Sequence, residues 1–246
     1  MTQASGEGPK TLSLIFEDEH FLAIDKPSGL LSHANPGKEE DSVVSRLLEM
    51  GLSLVGGEDP LRTGLVHRLD RDTSGILLCS KSEEAYRGLQ DQFRNREVSK
   101  TYHFLASGKI RRMEFTRRDR LGRHPVRRNT RMVSPEGRDA ETSFRLMELL
   151  GDRFALWEAK PKTGRTHQIR VHAKAAGFSI LGDPHYADRN SLQGSDMDKP
   201  GRTLLHCCKL SFSHPIEKNV MEVNSEYPGD FSETLSYLRE KFSPGS

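Results

Sequence analysis

Short apolar runs separated by turn-forming residues dominate the first third of this 246-residue chain. Residues 12–16 and 21–25 have the composition of two strands joined by a turn around Asp18, and Pro27 and Gly29 end the second. Val43, Val44, Leu47 and Leu48 then recur at helical spacing behind Ser42, whose hydroxyl suits a helix N-terminus. A Gly56, Gly57, Asp59, Pro60 cluster marks a loop, and residues 74–80 read as a buried strand. Ser82 opens a second helix, with Glu83 and Glu84 where negative charge suits the helix dipole and Arg94 and Arg96 near the other end.

Residues 101–106 predict a strand. The stretches 141–150 and 153–159 flank Gly151-Asp152, a dipeptide that closes two-residue hairpins. Residues 167–176 read as a helix ended by Gly177, residues 204–212 and 220–223 as strands split by a turn at Pro215, and residues 231–242 as a terminal helix. The polar stretch 187–202 reads as a flexible excursion and residues 1–11 as a flexible leader. Hairpins mixed with helices that do not alternate strictly with strands predict an α+β fold. We expect one domain over residues 12–242, with a largely antiparallel mixed sheet flanked by helices.

Composition narrows the setting. At 34% hydrophobic and 29% charged residues the chain is polar, yet its apolar runs are too regular for disorder. Its length allows a core that needs no disulfide or metal. The run 76–79 is far short of the ~20 apolar residues of a membrane-spanning helix, and no secretory or organelle leader is visible, so a cytoplasmic monomer away from membranes is expected. Cys79, Cys207 and Cys208 make no CxxC pair, which fits a reducing compartment. The net charge of +2 conceals a polarised distribution. Residues 109–131 hold ten Lys or Arg against Glu114 and Asp119, a local +8 that leaves −6 elsewhere. Such a segment attracts polyanions, although a solvated basic loop has the same composition.

Three polar clusters interrupt the structural pattern: residues 67–75, Lys100-Thr101-Tyr102, and residues 164–172. Asp70 lies between Arg68 and Arg71 directly before an apolar strand, as a nucleophile or base would, or as a carboxylate capping a turn would. Arg165 precedes the predicted helix, where it could meet phosphate, while Arg170 on the helix body could pair with a buried carboxylate. Tyr102 can pack, stack on a base or donate its hydroxyl. His67, Asp70, Asp72, Asp183, His185 and Asp188 are metal-ligating types, but no HExxH spacing occurs; GxGxxG, P-loop and GxSxG patterns are also missing.

Taken in order, these clusters resemble the RluA-like family of RNA pseudouridine synthases. The likeness rests on His67-Arg68-Leu69-Asp70 with Thr73-Ser74-Gly75, on Lys26-Pro27-Ser28-Gly29, on Lys100-Thr101-Tyr102, on residues 164–172, and on Ile180-Leu181-Gly182-Asp183 with Tyr186. It covers residues 12–242 and implies an isomerase of the intramolecular-transferase class that converts uridine in ribosomal or transfer RNA to pseudouridine. It further implies that Asp70 is the catalytic aspartate, that Tyr102 stacks on the target base, that Arg170 pairs with Asp70, and that Arg68 enters the space of the flipped nucleotide. Arg165 and His167 would contact RNA, and Ile180 or Leu181 would line the pocket. Many relatives carry an S4-type RNA-binding domain, which this chain is not expected to have. Arg117, Arg118 and Arg120 in the basic segment are therefore candidate RNA contacts.

The implied reaction breaks the N1–C1′ bond, turns the uracil, joins C5 to C1′ and releases the C5 proton. No electrons or external groups are exchanged, so neither cofactor nor metal is expected. Two other readings compete: a noncatalytic RNA-binding protein on the same fold, and a metal-dependent hydrolase using His67, Asp72, Asp183 and His185.

Overall fold

Serine caps and alternating apolar positions become the elements that frame one large sheet. The computed structural model describes residues 12–38, 40–188, 192 and 200–242. The leader and most of the stretch 187–202 lie outside the described residues. The first half comprises β1 (Ser13–Glu17), β2 (Phe21–Lys26), α1 (Val43–Glu49), β3 (Ser74–Ser80), α2 (Glu83–Asn95) and β4 (Ser99–Gly108). There follow β5 (Glu114–Arg123), β6 (Arg131–Val133), β7 (Arg138–Leu150), β8 (Phe154–Pro161), α3 (Gln168–Ala175), β9 (Phe178–Ile180), β10 (Leu205–Ser213), β11 (Val220–Asn224) and α4 (Gly229–Phe242). The Ser42 hydroxyl accepts from the Ser45 amide at 3.2 Å while Ser45 Oγ accepts from the Ser42 amide at 2.9 Å, a reciprocal cap that starts α1. Ser82 caps α2 through the Ala85 amide.

The sheet runs β1-β2-β3-β10-β4-β8-β7-β5-β6, with β11 beside β10 and β9 beside β4. Its pairings are antiparallel except β3 with β10, so it is the mixed, largely antiparallel sheet of an α+β domain. Strand β8 sits between β4 and β7 with both faces covered over most of its length, which explains its unbroken Phe-Ala-Leu-Trp start. Trp157, Phe104, Phe144 and Phe178 anchor the main core, and α4 closes a second one with Phe231, Leu235 and Leu238.

Three strands departed from the sequence pattern. β5 alternates half-buried Phe115, Arg117 and Asp119 with exposed Thr116, Arg118 and Arg120, so arginine occupies positions on both faces and hides the period of two. The basic segment is thus a paired strand and its return, β6, rather than a loop. Three-residue β9, which pairs with Ala106, Ser107 and Gly108, is too short to signal itself. The β7–β8 turn has three residues instead of two, because Leu150 pairs with Phe154 and leaves Gly151, at φ +67°, Asp152 and Arg153 in the bend.

Candidate active site

The loop before β3 carries Asp70, and the Lys-Pro-Ser-Gly run that begins at the last residue of β2 forms its cradle. Fully buried Lys26 donates through Nζ to the carbonyls of Pro27, Leu30 and Arg71 at 2.8, 2.7 and 3.0 Å. The Gly29 amide also donates to the Arg71 carbonyl, and Ser28 Oγ donates to that of Asp72, both at 2.9 Å. Ser32 Oγ receives the Leu69 amide and donates to the Leu69 carbonyl. Two peptide units on each side of Asp70 are therefore held, which fixes the carboxylate more firmly than a free turn could. Gly75, at φ +110°, lets β3 approach β10: a Cβ there would lie 2.2 Å from the Cys207 carbonyl oxygen.

Helix α3 supplies the positive charge. Arg170 is 3% exposed and grips the carboxylate of buried Asp183 with two hydrogen bonds, Nε to Oδ2 at 2.7 Å and Nη2 to Oδ1 at 2.8 Å. Its remaining nitrogen, Nη1, lies 3.8 Å from Asp70 Oδ2. Burial opposes the guanidinium charge, yet the bonds to Asp183 and the nearby Asp70 outweigh it and raise the Arg170 pKa. Asp183 answers in kind: burial pushes its carboxyl up, but Arg170 and the amides of His185 and Tyr186 hold it below the ordinary range. This mutual satisfaction is what allows an ion pair to survive in the interior.

Tyr102 on β4 is paired through its backbone to Ala159 of β8 and Cys207 of β10, which leaves its ring on the face of the sheet that Asp70 approaches. Burial, then the neighbouring Cys207 thiol and Asp70, keep its phenol neutral well above the usual value. Asp70, Tyr102 and Arg170 share the wall of a cleft of about 520 Å³ with Arg68, Arg165 and His167, a size typical of small-ligand sites. Exposed Arg68 stands at the mouth, its Nη1 3.4 Å from His33 Nε2. Gln168 fastens the opposite rim: its Oε1 accepts from Thr163 Oγ1 at 2.6 Å and from the Arg165 amide at 3.0 Å, while its Nε2 donates to the Glu141 carbonyl.

Residues 20–175 match the family model for RNA pseudouridylate synthase. The chain belongs to this family. An RNA pseudouridine synthase of Synechocystis sp. is 36% identical over 233 residues, 94% of this chain and 70% of that protein. A ribosomal large subunit pseudouridine synthase D of Nitrosomonas europaea is 35% identical over 231 residues, 93% of this chain and 65% of that one, which places this chain among the RluA-like synthases. Human RNA Pseudouridylate Synthase Domain Containing 4 superposes with a TM-score of 0.72 at 22% identity, covering 92% of this chain and 93% of that one, and shows the same fold.

The synthase gathers six of the expected residues, Asp70, Tyr102, Arg170, Arg68, Arg165 and His167, into one cleft. Others are placed elsewhere. Ile180 belongs to the main core and Leu181 to the second core beneath α4, and neither lines the cleft: β9 pairs with β4 at Ala106–Gly108, beyond the part of the strand that carries Tyr102. Arg170 has Asp183 as its hydrogen-bonded partner and Asp70 only as a longer contact. The three candidate arginines of β5, Arg117, Arg118 and Arg120, are divided by the strand's alternation. Arg117 turns inward to Asp119 and the Ala175 carbonyl at the end of α3, whereas Arg118 and Arg120 face outward beside Glu141 and Asp139 of β7.

The residues that sequence reasoning missed are those whose partners are distant in the chain. Lys26 appeared only as a motif letter, and Asp183 as a motif residue and metal candidate; a buried carboxylate needs a cation, and Arg170 supplies it from 13 residues away. Arg123, Arg131 and Arg138 join Arg165 around a second depression of about 450 Å³ that shares Gly164, Arg165 and Thr166 with the cleft. Two members of the proposed metal set are already engaged: His67 Nε2 accepts the Leu78 amide at 3.0 Å, and Asp183 holds Arg170. Among the described residues no group of three or more His, Cys, Asp or Glu could hold a metal ion.

Proposed function

We propose that this synthase isomerises uridine in ribosomal RNA, with Asp70 acting on the ribose of the target nucleotide. The observation that carries the reading is the placement of the Asp70 carboxylate in the cleft wall with Arg170 Nη1 at 3.8 Å and Tyr102 beside it. Breaking the N1–C1′ bond develops positive charge on the sugar, which a fixed carboxylate can attack or stabilise; removal of a sugar proton would call on the same group. Arg170, immobilised by Asp183, keeps a positive charge beside that carboxylate without taking it into a closed hydrogen bond. Extracting the base from its stack costs a few kcal/mol, and stacking on Tyr102, ~1–3 kcal/mol, offsets part of it. Arg68 at the cleft mouth is suited to fill the vacated space, and Arg165 with the neighbouring arginines to hold phosphates.

Ribosomal RNA is favoured over transfer RNA because relatives that are 34–35% identical carry the name ribosomal large subunit pseudouridine synthase. The synthase would work as a monomer in the cytoplasm, where its three free cysteines stay reduced. Among the described residues no helix is long and apolar enough to cross a membrane. The test is tritium release from RNA labelled at uridine C5, with ribosomal and transfer RNA fractions assayed separately. Wild-type protein should release tritium from ribosomal RNA, and Asp70→Asn should bind that RNA and release none. Release from transfer RNA alone would overturn the substrate assignment, and near-normal release by Asp70→Asn would overturn the role of Asp70.

A further inference from the structure

Tyr186 stands where three parts of the site meet. Its amide and that of His185 donate to Asp183 Oδ1 at 3.0 and 2.8 Å. The Arg170 guanidinium lies 5.0 Å from the centre of its ring. Its hydroxyl accepts the Arg131 amide of β6 at 2.7 Å and is 2.9 Å from His167 Nδ1. A backbone amide can only donate, so the hydroxyl is an acceptor towards Arg131. Its own single proton then has His167 Nδ1 as its acceptor among the described residues.

His167 itself is held in an uncommon conformation. It occupies the N-cap of α3 at φ 57°, ψ 20°, the left-handed region, and its side chain makes no capping bond. Glycine or asparagine would adopt this backbone at less cost. What the conformation provides is placement, since it brings Nε2 to 4.0 Å from Asp70 Oδ2. Burial lowers the imidazole pKa against the pull of Asp70, with Arg170 and Arg131 acting with burial and Asp183 against it. The ring is therefore neutral at pH 7, and the position of its one N–H decides what Asp70 meets.

We infer that Tyr186 and His167 are positioning residues for Asp70: the Tyr186 hydroxyl donates to His167 Nδ1, which leaves the imidazole proton on Nε2, facing the Asp70 carboxylate. With this tautomer an N–H dipole points at the carboxylate; with the other, a nitrogen lone pair would face it and repel it. The hydroxyl thus sets the orientation of the reacting group from two side chains away, and β6 is tied to the site through the Arg131 amide. The inference rests on the role proposed above for Asp70.

Tyr186→Phe removes the hydroxyl and keeps the ring and both amide bonds to Asp183. Long-range proton–nitrogen NMR spectra of the full chain should show wild-type His167 protonated on Nε2 alone and the Tyr186→Phe protein as a mixture of tautomers. The kcat for tritium release should fall about tenfold, the rate equivalent of one hydrogen bond, with KM for RNA unchanged. His167→Asn, which accepts the left-handed backbone, should lose kcat to a similar extent, and adding Tyr186→Phe to it should cost little more. Wild-type His167 protonated on Nδ1 would overturn the inference, as would an unchanged kcat in Tyr186→Phe or a defect confined to KM. A wild-type protein that releases no tritium while His167 carries its proton on Nε2 would overturn the proposed reaction and leave the hydrogen-bond relay standing.

Discussion

Arg170 holds Asp183 with two hydrogen bonds of 2.7 and 2.8 Å, both groups being nearly inaccessible to water, and by doing so presents its free edge to Asp70. The buried pair is a mount for the edge of the guanidinium that faces Asp70. Asp183→Asn keeps the shape but leaves Arg170 with an uncompensated charge. Breaking such a pair costs about 3–5 kcal/mol, so urea denaturation should show a large loss of stability. Tritium release should fall further than the folded fraction does; a variant with normal turnover per folded molecule would show that the mount is dispensable.

Tyr102→Leu should reduce turnover far more than RNA affinity. The ring lies in the cleft wall and, in the proposed role, would contribute stacking of ~1–3 kcal/mol only once the base has left its helix, so binding of the unflipped RNA would owe it little. Single-turnover rates and equilibrium binding, measured on the same RNA, separate the two effects. An equal loss in both would remove Tyr102 from the base-handling step.

The alternation of β5 predicts unequal outcomes for its arginines. Double reversal at Arg118 and Arg120, which face outward, should weaken RNA binding and flatten its salt dependence by about 0.7 logarithmic units per lost phosphate contact on single strands. Arg117→Ala should instead lower thermal stability, since that side chain ties Asp119 to the end of α3, and leave RNA affinity alone. Unchanged affinity and unchanged salt slope in the reversal would take this strand out of the RNA path.

Buried imidazoles set the acid limit of the fold: His67, which burial lowers from 6.5 to about 3, and two further rings. Burial lowers His172 and His206 from 6.5 to about 4, with Asp119 opposing the shift at His172 and the Ser225 carbonyl opposing it at His206. Between those values the unfolded chain binds protons that the folded chain refuses. Stability is therefore complete above pH 6.5 and falls as the pH drops toward 4, by about 1 kcal/mol per pH unit for each histidine. Urea midpoints measured across this range should show the slope, and His206→Asn should make it shallower; a flat profile would contradict the burial of these rings.

Local signals carried much of this molecule. The caps at Ser42 and Ser82, the bend after Leu150 and the apolar strand 74–80 depend on neighbours within a few residues, and they formed close to where the pattern placed them. The order of the polar motifs was enough to indicate a family, because each motif answers to a local demand: a tight loop at Gly29, a carboxylate before a buried strand, an arginine on an apolar helix. Pairings across the sheet were not legible. β5 owes its conformation to hydrogen bonds with β7, and β6 to hydrogen bonds with β5, which no window of their own arginine-rich sequence can announce.

By itself, then, the sequence determined the α+β class, most of the strands and helices, and the identities of Asp70, Tyr102 and Arg170 as candidates for chemistry. Only the tertiary structure decided that Asp183, 13 residues along, is Arg170's bonded partner, that Lys26 holds the peptide units around Asp70 from 45 residues away at Arg71, and that Ile180 and Leu181 face cores instead of the cleft. The physical reason is the range of the forces. Propensity and capping act over one or two turns of chain, whereas a buried charge is tolerated only where folding delivers a partner, and that delivery depends on strand order and register.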